Sequence, residues 1–138
     1  EIILKKYSPM VELAAFAGQY AEAMSQATGL IVCITDRDQV IAVSGGGKKE
    51  LLEKPVSKAL EEIMENRRAV RTESGSRAPR PVESAEDHAI AVAAPILAEG
   101  DVLGCVMFLS HPGSPAATDL EFKLAQTVAG FLGRQMEG

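Results

Sequence analysis

The first long apolar pattern in the chain has the period of an α-helix. Between residues 8 and 28, apolar side chains recur every three or four positions, which places them on one face of a helix. Ser8 suits an N-cap, Pro9 suits the first helical position, and Gly29 suits the residue just beyond a helix end. We therefore predict a helix over residues 8–28 whose apolar face is formed by Leu13, Phe16, Ala17, Tyr20, Met24 and Ala27.

The middle of the chain carries the pattern of β-hairpins. Residues 30–36 and 39–44 are apolar runs rich in β-branched side chains, separated by the polar pair Arg37-Asp38. Residues 88–110 divide into two similar runs at the sequence AEGD. Strand-like runs joined by a short polar turn are typical of hairpins. Between the two hairpins the pattern predicts a helix over residues 57–68 and a strand over residues 69–74.

A second long helix is predicted at the end of the chain, over residues 118–136. Thr118 and Glu121 have the spacing of a capping box. Two adjacent apolar stripes run along this helix, so its apolar face is wider than packing on one sheet requires. We expect another helix to pack closely there. The stripes are Leu120, Leu124, Val128 and Phe131, and Ala125, Ala129, Leu132 and Met136.

The order of these elements predicts the fold class. Consecutive hairpins imply an antiparallel sheet, and helices at both ends of the chain imply a layer on one face of that sheet. The expected structure is an α+β fold of the GAF/PAS type, with the two terminal helices side by side.

Composition narrows the functional classes. The chain has 138 residues and a net charge of −5, which argues against DNA binding by this segment, because such domains carry a basic excess. The two cysteines, Cys33 and Cys105, lie in separate apolar runs and do not form a C-x-x-C pair. This fits a reduced cytoplasmic setting. No apolar run is long enough to suggest a membrane span. Because the sequence begins with Glu1, we expect natural sequence upstream.

The glycine-rich stretch at residues 45–47 is a candidate phosphate site that fails on spacing. A P-loop ending at Gly47-Lys48 would need a glycine at Ala42 and a Ser or Thr at Lys49. A dinucleotide-binding loop would need a glycine at Glu50. We therefore interpret these glycines as a turn between a strand and a helix.

The remaining polar residues offer two hypotheses. The arginines between residues 67 and 80 could bind an acidic effector, or they could be a solvated helix end and loop. His88 and His111 have no partner at metal-ligand spacing, so we expect neither a metal nor another cofactor. Cysteines that look buried on strands make poor nucleophiles, so we do not expect an enzyme.

Several segments together resemble a known family. EIILKKYSP, ITDRDQVIAVSGGGKKELLEKPVS, APILAEGDVLGCVMFLS and AGFLGRQME resemble the C-terminal part of the stage V sporulation protein T family of transcription regulators. The resemblance covers essentially the whole chain. It implies a cytoplasmic regulatory GAF domain over residues 8–138. Residues 1–7 would be the end of an AbrB-type domain and its linker, and that domain would bind the DNA.

The resemblance also implies oligomers and an effector site. We expect a homodimer through helices 8–28 and 118–136, with an interface of Leu13, Phe16, Tyr20, Leu124, Val128, Phe131 and Leu132. Pockets of GAF domains generally lie on the sheet face opposite the terminal helices. The polar candidates there are Ser44, Lys48, Arg67, Arg71 and Arg77. Two other functions stay open: a structural dimerisation module without a ligand, and a cysteine-based methionine sulfoxide reductase.

Overall fold

A computed structural model describes residues 9–72, 78–110 and 117–137 of the chain. The predicted domain end at residues 1–7 lies outside these ranges. So do the predicted cap Ser8, the candidate ligand residue Arg77, and His111.

The described residues form the predicted elements in the predicted order. The strand predicted over residues 69–74 is a strand only at Val70–Arg71 within the described part, and the helix predicted over residues 57–68 is shorter at both ends. The elements are α1 (Pro9–Thr28), β1 (Ile31–Asp36), β2 (Val40–Ser44), α2 (Lys48–Leu51), α3 (Lys58–Asn66), β3 (Val70–Arg71), β4 (Ala89–Ala98), β5 (Asp101–Ser110) and α4 (Asp119–Met136).

All strand pairs in the sheet are antiparallel, and the strand order is β2-β1-β5-β4-β3. Helix α1 packs on β1 and β2, helix α4 packs on β4 and β5, and the two helices contact each other. The prediction of an α+β fold with both terminal helices on one face is confirmed. We call this side of the sheet the helix face.

Local sequence explains where the helices begin and end and where the second hairpin makes its turn. Thr118 and Glu121 form the predicted capping box of α4. The Ser57 side chain accepts a hydrogen bond from the Leu60 N–H and so caps α3. Between β4 and β5, Glu99 and Gly100 both have positive φ, which suits a two-residue hairpin turn. Gly29, just after α1, also has positive φ, as expected beyond a helix end.

The opposite side of the sheet is covered by α2, α3 and residues 78–88, and we call it the loop face. Alternation along the strands separates two buried clusters, one on each side. A register shift between Ile90 and Val92 places these two residues on opposite faces, although they are two positions apart. The loop-face cluster includes Cys33, Val40, Leu51, Leu60, Met64, Val82, Ile90, Val102, Cys105 and Met107.

Candidate functional site

The glycine loop between β2 and α2 is shaped by close packing. All three of its glycines have positive φ, a conformation that other residues adopt at a cost. A side chain at Gly45 would meet the Ser25 hydroxyl, and one at Gly47 would meet the His88 imidazole. The helix that follows has only four residues. The geometry therefore agrees with the interpretation of this loop as a turn.

Two of the predicted ligand residues lie close together beside the edge strand β2. Ser44 is half-buried and Lys48 is exposed, and both line a depression of about 350 Å³ between α1 and α2. The same depression is lined by Glu22 and by the apolar side chains of Ile41 and Leu52. Lys49, the neighbour of Lys48, is exposed and does not line it.

Two other candidates, Arg67 and Arg71, make their contacts elsewhere in the fold. Arg67 has positive φ at the end of α3, and its guanidinium donates hydrogen bonds to the carbonyls of Gly100 and Glu65. Arg71 donates to the Asp119 carboxylate at 2.5 Å, and its guanidinium lies 5.7 Å from the centre of the Phe122 ring. This contact reaches α4, so Arg71 extends toward the helix face. Neither arginine joins Ser44 and Lys48.

The residues predicted for the dimer interface fall into two groups. Leu13, Val128 and Leu132 are buried within the single chain, so their side chains already pack on the sheet. Phe16, Tyr20 and Leu124 are half-buried, and Phe131 is 46% exposed. The rings of Tyr20 and Phe131 stack edge to face with their centres 5.5 Å apart.

One further residue of this surface was missing from the predicted interface. Leu120, in the first turn of α4, is 66% exposed. Its apolar stripe was visible in the sequence, but the sequence alone does not show that this end of the stripe extends beyond the core. Tyr20, Leu120 and Phe131, with Phe16 and Leu124, form what we call the aromatic surface.

A second depression on the loop face was not predicted. It has a volume of about 490 Å³ and lies between the β1–β2 turn and α3. Its lining combines charged and apolar side chains: Arg37, Asp38, Glu61, Met64, Glu65 and Val102. The helical spacing of Glu61 and Glu65 is readable in the sequence. Their position opposite Arg37 depends on how α3 packs against the sheet.

Both cysteines are fully buried on the loop face, on neighbouring strands. Burial raises the pKa of the Cys33 thiol to about 12, and burial raises the pKa of the Cys105 thiol further still. A thiol with a raised pKa is protonated at neutral pH and is a weak nucleophile. The described residues contain no cluster of three or more His, Cys, Asp or Glu that could hold a metal ion. Nor do they include a helix suited to crossing a membrane.

Comparison with known proteins gives the family. A sequence model of the family described as "Stage V sporulation protein T C-terminal, transcription factor" matches residues 12–137. Stage V sporulation protein T of Bacillus subtilis (strain 168) is 44% identical over 138 residues, which cover 99% of this chain and 76% of that protein. The chain belongs to this family.

Solved structures show that the family domain has the GAF fold. The GAF domain region of a putative membrane protein from Geobacter sulfurreducens PCA matches with a TM-score of 0.64 at 16% identity, covering 91% of this chain and 93% of that one. The cofactor binding GAF domain of the nutrient sensor CodY from Clostridium difficile matches with a TM-score of 0.62 at 12% identity, covering 92% and 93%. The predicted GAF-like fold is confirmed.

The same fold also occurs in an enzyme. A type II free methionine-R-sulfoxide reductase from Thermoplasma acidophilum matches with a TM-score of 0.59 at 12% identity, covering 90% of this chain and 94% of that one. At this identity the similarity shows the fold alone. Membership in a family of transcription factors, together with the burial of both thiols, favours a regulatory domain.

Proposed function

We propose that this GAF domain joins two copies of a cytoplasmic sporulation regulator and senses a small molecule, while a separate AbrB-type N-terminal domain binds DNA. Membership in the family of stage V sporulation protein T supports a role in transcription. The net charge of −5 supports a division of labour in which this segment does not contact DNA. The aromatic surface is the observation that carries the joining of two copies.

Exposed apolar side chains on α4 support pairing through the terminal helices. Leu120 and Phe131 lie about three helical turns apart on the same helix, and Tyr20 of α1 extends the surface sideways. Contiguous exposed apolar side chains mark protein interfaces more often than isolated ones do. Aromatic residues in particular are enriched among those that contribute most to binding. We therefore place the centre of the interface at Phe131.

A substitution at Phe131 tests the dimer. Phe131→Lys places a charge at the proposed centre, so sedimentation equilibrium should show a monomer at concentrations where the unmodified chain is a dimer. Leu97→Lys is the matched control, because Leu97 is another exposed apolar side chain but lies on β4 and is not part of the aromatic surface. A monomeric unmodified chain at high concentration, or equal loss of dimer in both variants, would contradict the proposal.

The sensing part of the proposal is supported by the depression at Ser44 and Lys48. Among the described residues, Lys48 is the one cation in a lining that also holds the Glu22 carboxylate and apolar side chains, and with the polar edge of the strand it can bind the acidic group of a small molecule. A thermal-shift screen of cellular metabolites is the first test. For any metabolite that stabilises the chain, Lys48→Ala should weaken the shift and Lys49→Ala should leave it unchanged. Equal effects of the two substitutions would remove Lys48 from the site.

The alternative function is a structural dimerisation module without a ligand. It is favoured by the packing of the loop face, where large apolar side chains from the sheet, α2 and α3 are fully buried against one another. If no metabolite shifts the unfolding temperature while Phe131→Lys abolishes the dimer, the structural module is the better description.

A further inference from the structure

The first turn of α4 carries the most exposed residue of the aromatic surface but has little core beneath it. Leu120 is 66% exposed, and the buried side chains of α4 begin only at Ala125. Phe122 is half-buried against the helix-face cluster. The capping box at Thr118 closes the helix end, but its hydrogen bonds do not reach the sheet. Segments with few buried contacts open most readily, so the position of this turn depends on contacts from outside the helix.

Arg71, on the edge strand β3, supplies such a contact. Its guanidinium donates a hydrogen bond to the Asp119 carboxylate at 2.5 Å and lies 5.7 Å from the centre of the Phe122 ring. These two partners stand before and after Leu120 in the first turn of α4. One side chain therefore holds the turn through an ion pair and a cation–π contact at once. Because both contacts are exposed, their effect is on the position of the turn more than on the stability of the whole fold.

Strand β3 connects this contact to the opposite face of the sheet. Arg71 pairs with Val92, which belongs to the helix-face cluster, and Val70 pairs with Ala93, which belongs to the loop-face cluster. The Val70 side chain itself packs against the loop-face cluster. Successive side chains of a strand point to opposite faces, so two adjacent residues of β3 contact the two layers of the domain. A displacement of β3 on the loop face therefore moves the group that holds α4.

The connection from α3 to β3, residues 67–71, also reaches the far end of α4. Arg67 donates a hydrogen bond to the Gly100 carbonyl in the β4–β5 turn at 3.1 Å. In the same turn, the Glu99 N–H donates to the Glu137 carboxylate at 3.1 Å, just beyond the end of α4. The connection thus contacts α4 directly near its beginning and through the β4–β5 turn near its end.

We propose that Arg71 positions the first turn of α4 for contact with a second copy, and that β3 thereby couples the loop face to the aromatic surface. While Arg71 holds the turn, Leu120 is presented in a fixed position, and binding of the second copy requires little further ordering. When β3 is displaced, the turn loosens and the dimer weakens. The inference rests on the dimer proposed above and adds its regulation: whatever displaces α3 or β3 on the loop face changes the affinity between the two copies.

A double-mutant cycle on the dimer dissociation constant, measured by sedimentation equilibrium, tests the positioning role. Arg71→Gln should weaken the dimer about fivefold, the low end of typical couplings between sites. Arg68→Gln is the matched control, because it removes the same charge from an exposed residue of the same connection, and it should leave the dimer unchanged. In a chain that already carries Leu120→Ala, Arg71→Gln should have no further effect. Equal weakening by both arginine substitutions, or additive effects of Arg71→Gln and Leu120→Ala, would overturn the positioning role.

A substitution that leaves the helix face untouched tests the coupling. Val70→Ala removes two methyl groups from the side of β3 that packs on the loop-face cluster. It should shift the amide NMR signals of residues 119–122, and in an Arg71→Gln background it should cause no such shift. Val56→Ala is the control, because Val56 belongs to the same cluster but precedes α3, and it should leave these signals in place. Equal shifts with both valine substitutions, no shift with Val70→Ala, or a shift that persists without Arg71 would overturn the coupling.

Amide hydrogen exchange separates this inference from the dimer itself. The Phe122 N–H donates to the Thr118 carbonyl at 3.2 Å within the first turn of α4. In the dilute, monomeric chain, Arg71→Gln should speed exchange at Phe122 about threefold and leave exchange at the buried Leu132 unchanged. A chain that stays monomeric at high concentration would overturn the dimer, while faster exchange at Phe122 would still support Arg71 as the residue that holds this turn. A normal dimer with unchanged exchange at Phe122 in Arg71→Gln would overturn the positioning role and leave the dimer in place.

Discussion

The helix face of the sheet is covered by two helices of 20 and 18 residues, whereas the loop face is covered by helices of four and nine residues and by residues 78–88. On the helix face, regular side-chain rows of α1 and α4 fill the space above the strands. On the loop face, hydrogen bonds between distant segments position the cover. The Ser57 hydroxyl donates to the Arg80 carbonyl at 2.6 Å, and the Ser57 N–H donates to the Pro81 carbonyl at 2.9 Å.

The difference separates two tasks within one small domain. A continuous helical layer presents a wide, regular surface, which suits contact with a second copy. A cover made of short pieces joined by turns leaves depressions with charged rims, which suits small molecules. Both faces are nevertheless densely packed with buried apolar side chains, so both should contribute strongly to stability.

The largest effects test whether the two faces are packed equally well. Leu132 on the helix face and Leu60 on the loop face are both fully buried. Each substitution to Ala should lower the free energy of unfolding by about 3 kcal/mol, because it removes buried methyl groups and leaves a cavity. Urea denaturation measures the free energy of unfolding of both variants. A much smaller loss of unfolding free energy for Leu60→Ala than for Leu132→Ala would show that the loop face is the more loosely packed of the two. Loose packing would favour a ligand-sized space on that face.

The next effect concerns the close approach of α4 to the sheet. A side chain at Gly133 would overlap the Leu97 carbonyl, so Gly133→Ala should lower the free energy of unfolding by about 2 kcal/mol. Gly130, one turn earlier on the same helix, has open space around it. Gly130→Ala should therefore stabilise the chain by about 0.5–1 kcal/mol, through its better helix propensity. The same sign for both substitutions would contradict the close packing described for the helix face.

The loop face should be sensitive to high pH because of its two thiols. Burial raises the pKa of Cys33 to about 12, above the ordinary value of 9.0 that applies in the unfolded chain. The stabilisation from keeping this thiol protonated is complete below pH 9 and is lost as pH rises toward 12. At pH 10 the loss is about 1–2 kcal/mol per thiol, from the difference between the two pKa values. The double substitution Cys33→Ala with Cys105→Ala should flatten the fall of the urea midpoint between pH 8.5 and about 10. Equal slopes with and without the thiols would contradict their burial.

The smallest effect concerns the ion pair that joins β3 to α4. The hydrogen bond from Arg71 and its positive charge hold the pKa of the Asp119 carboxyl below its usual value of 3.8. The pair's stabilisation is therefore present above pH 3.8 and is lost as pH falls below that value. Asp119 is exposed, so Asp119→Asn should change the thermal midpoint only slightly at neutral pH, and less at high salt. Asp87→Asn is an exposed control. A large fall in the thermal midpoint would mean that the contacts of Arg71 with Asp119 and Phe122 stabilise the edge of the sheet more than an exposed ion pair can.

Prediction from sequence succeeded best where structure is encoded locally. The capping box at Thr118 and Glu121 and the hairpin turn at Glu99-Gly100 each involve residues close together in the chain, and both were predicted from the sequence. The directions of the Arg67 and Arg71 side chains were not predicted, because Arg67 contacts Gly100, 33 residues away, and Arg71 contacts Asp119, 48 residues away. The lining of the unpredicted depression likewise combines the turn at Arg37 with helix α3 and the start of β5.

The sequence by itself determined the element order, the α+β fold with both terminal helices on one face, and the family. These depend on hydrophobic periodicity and on residues at the ends of elements, which act within one or two turns of the chain. Only the tertiary structure decided which apolar residues of the terminal helices are buried, such as Leu13 and Leu132, and which remain exposed, such as Leu120 and Phe131. The same holds for the charged lining at Arg37 and Glu61. Periodicity gives the direction of a side chain from its helix or strand, but what that side chain meets depends on segments far away in the chain.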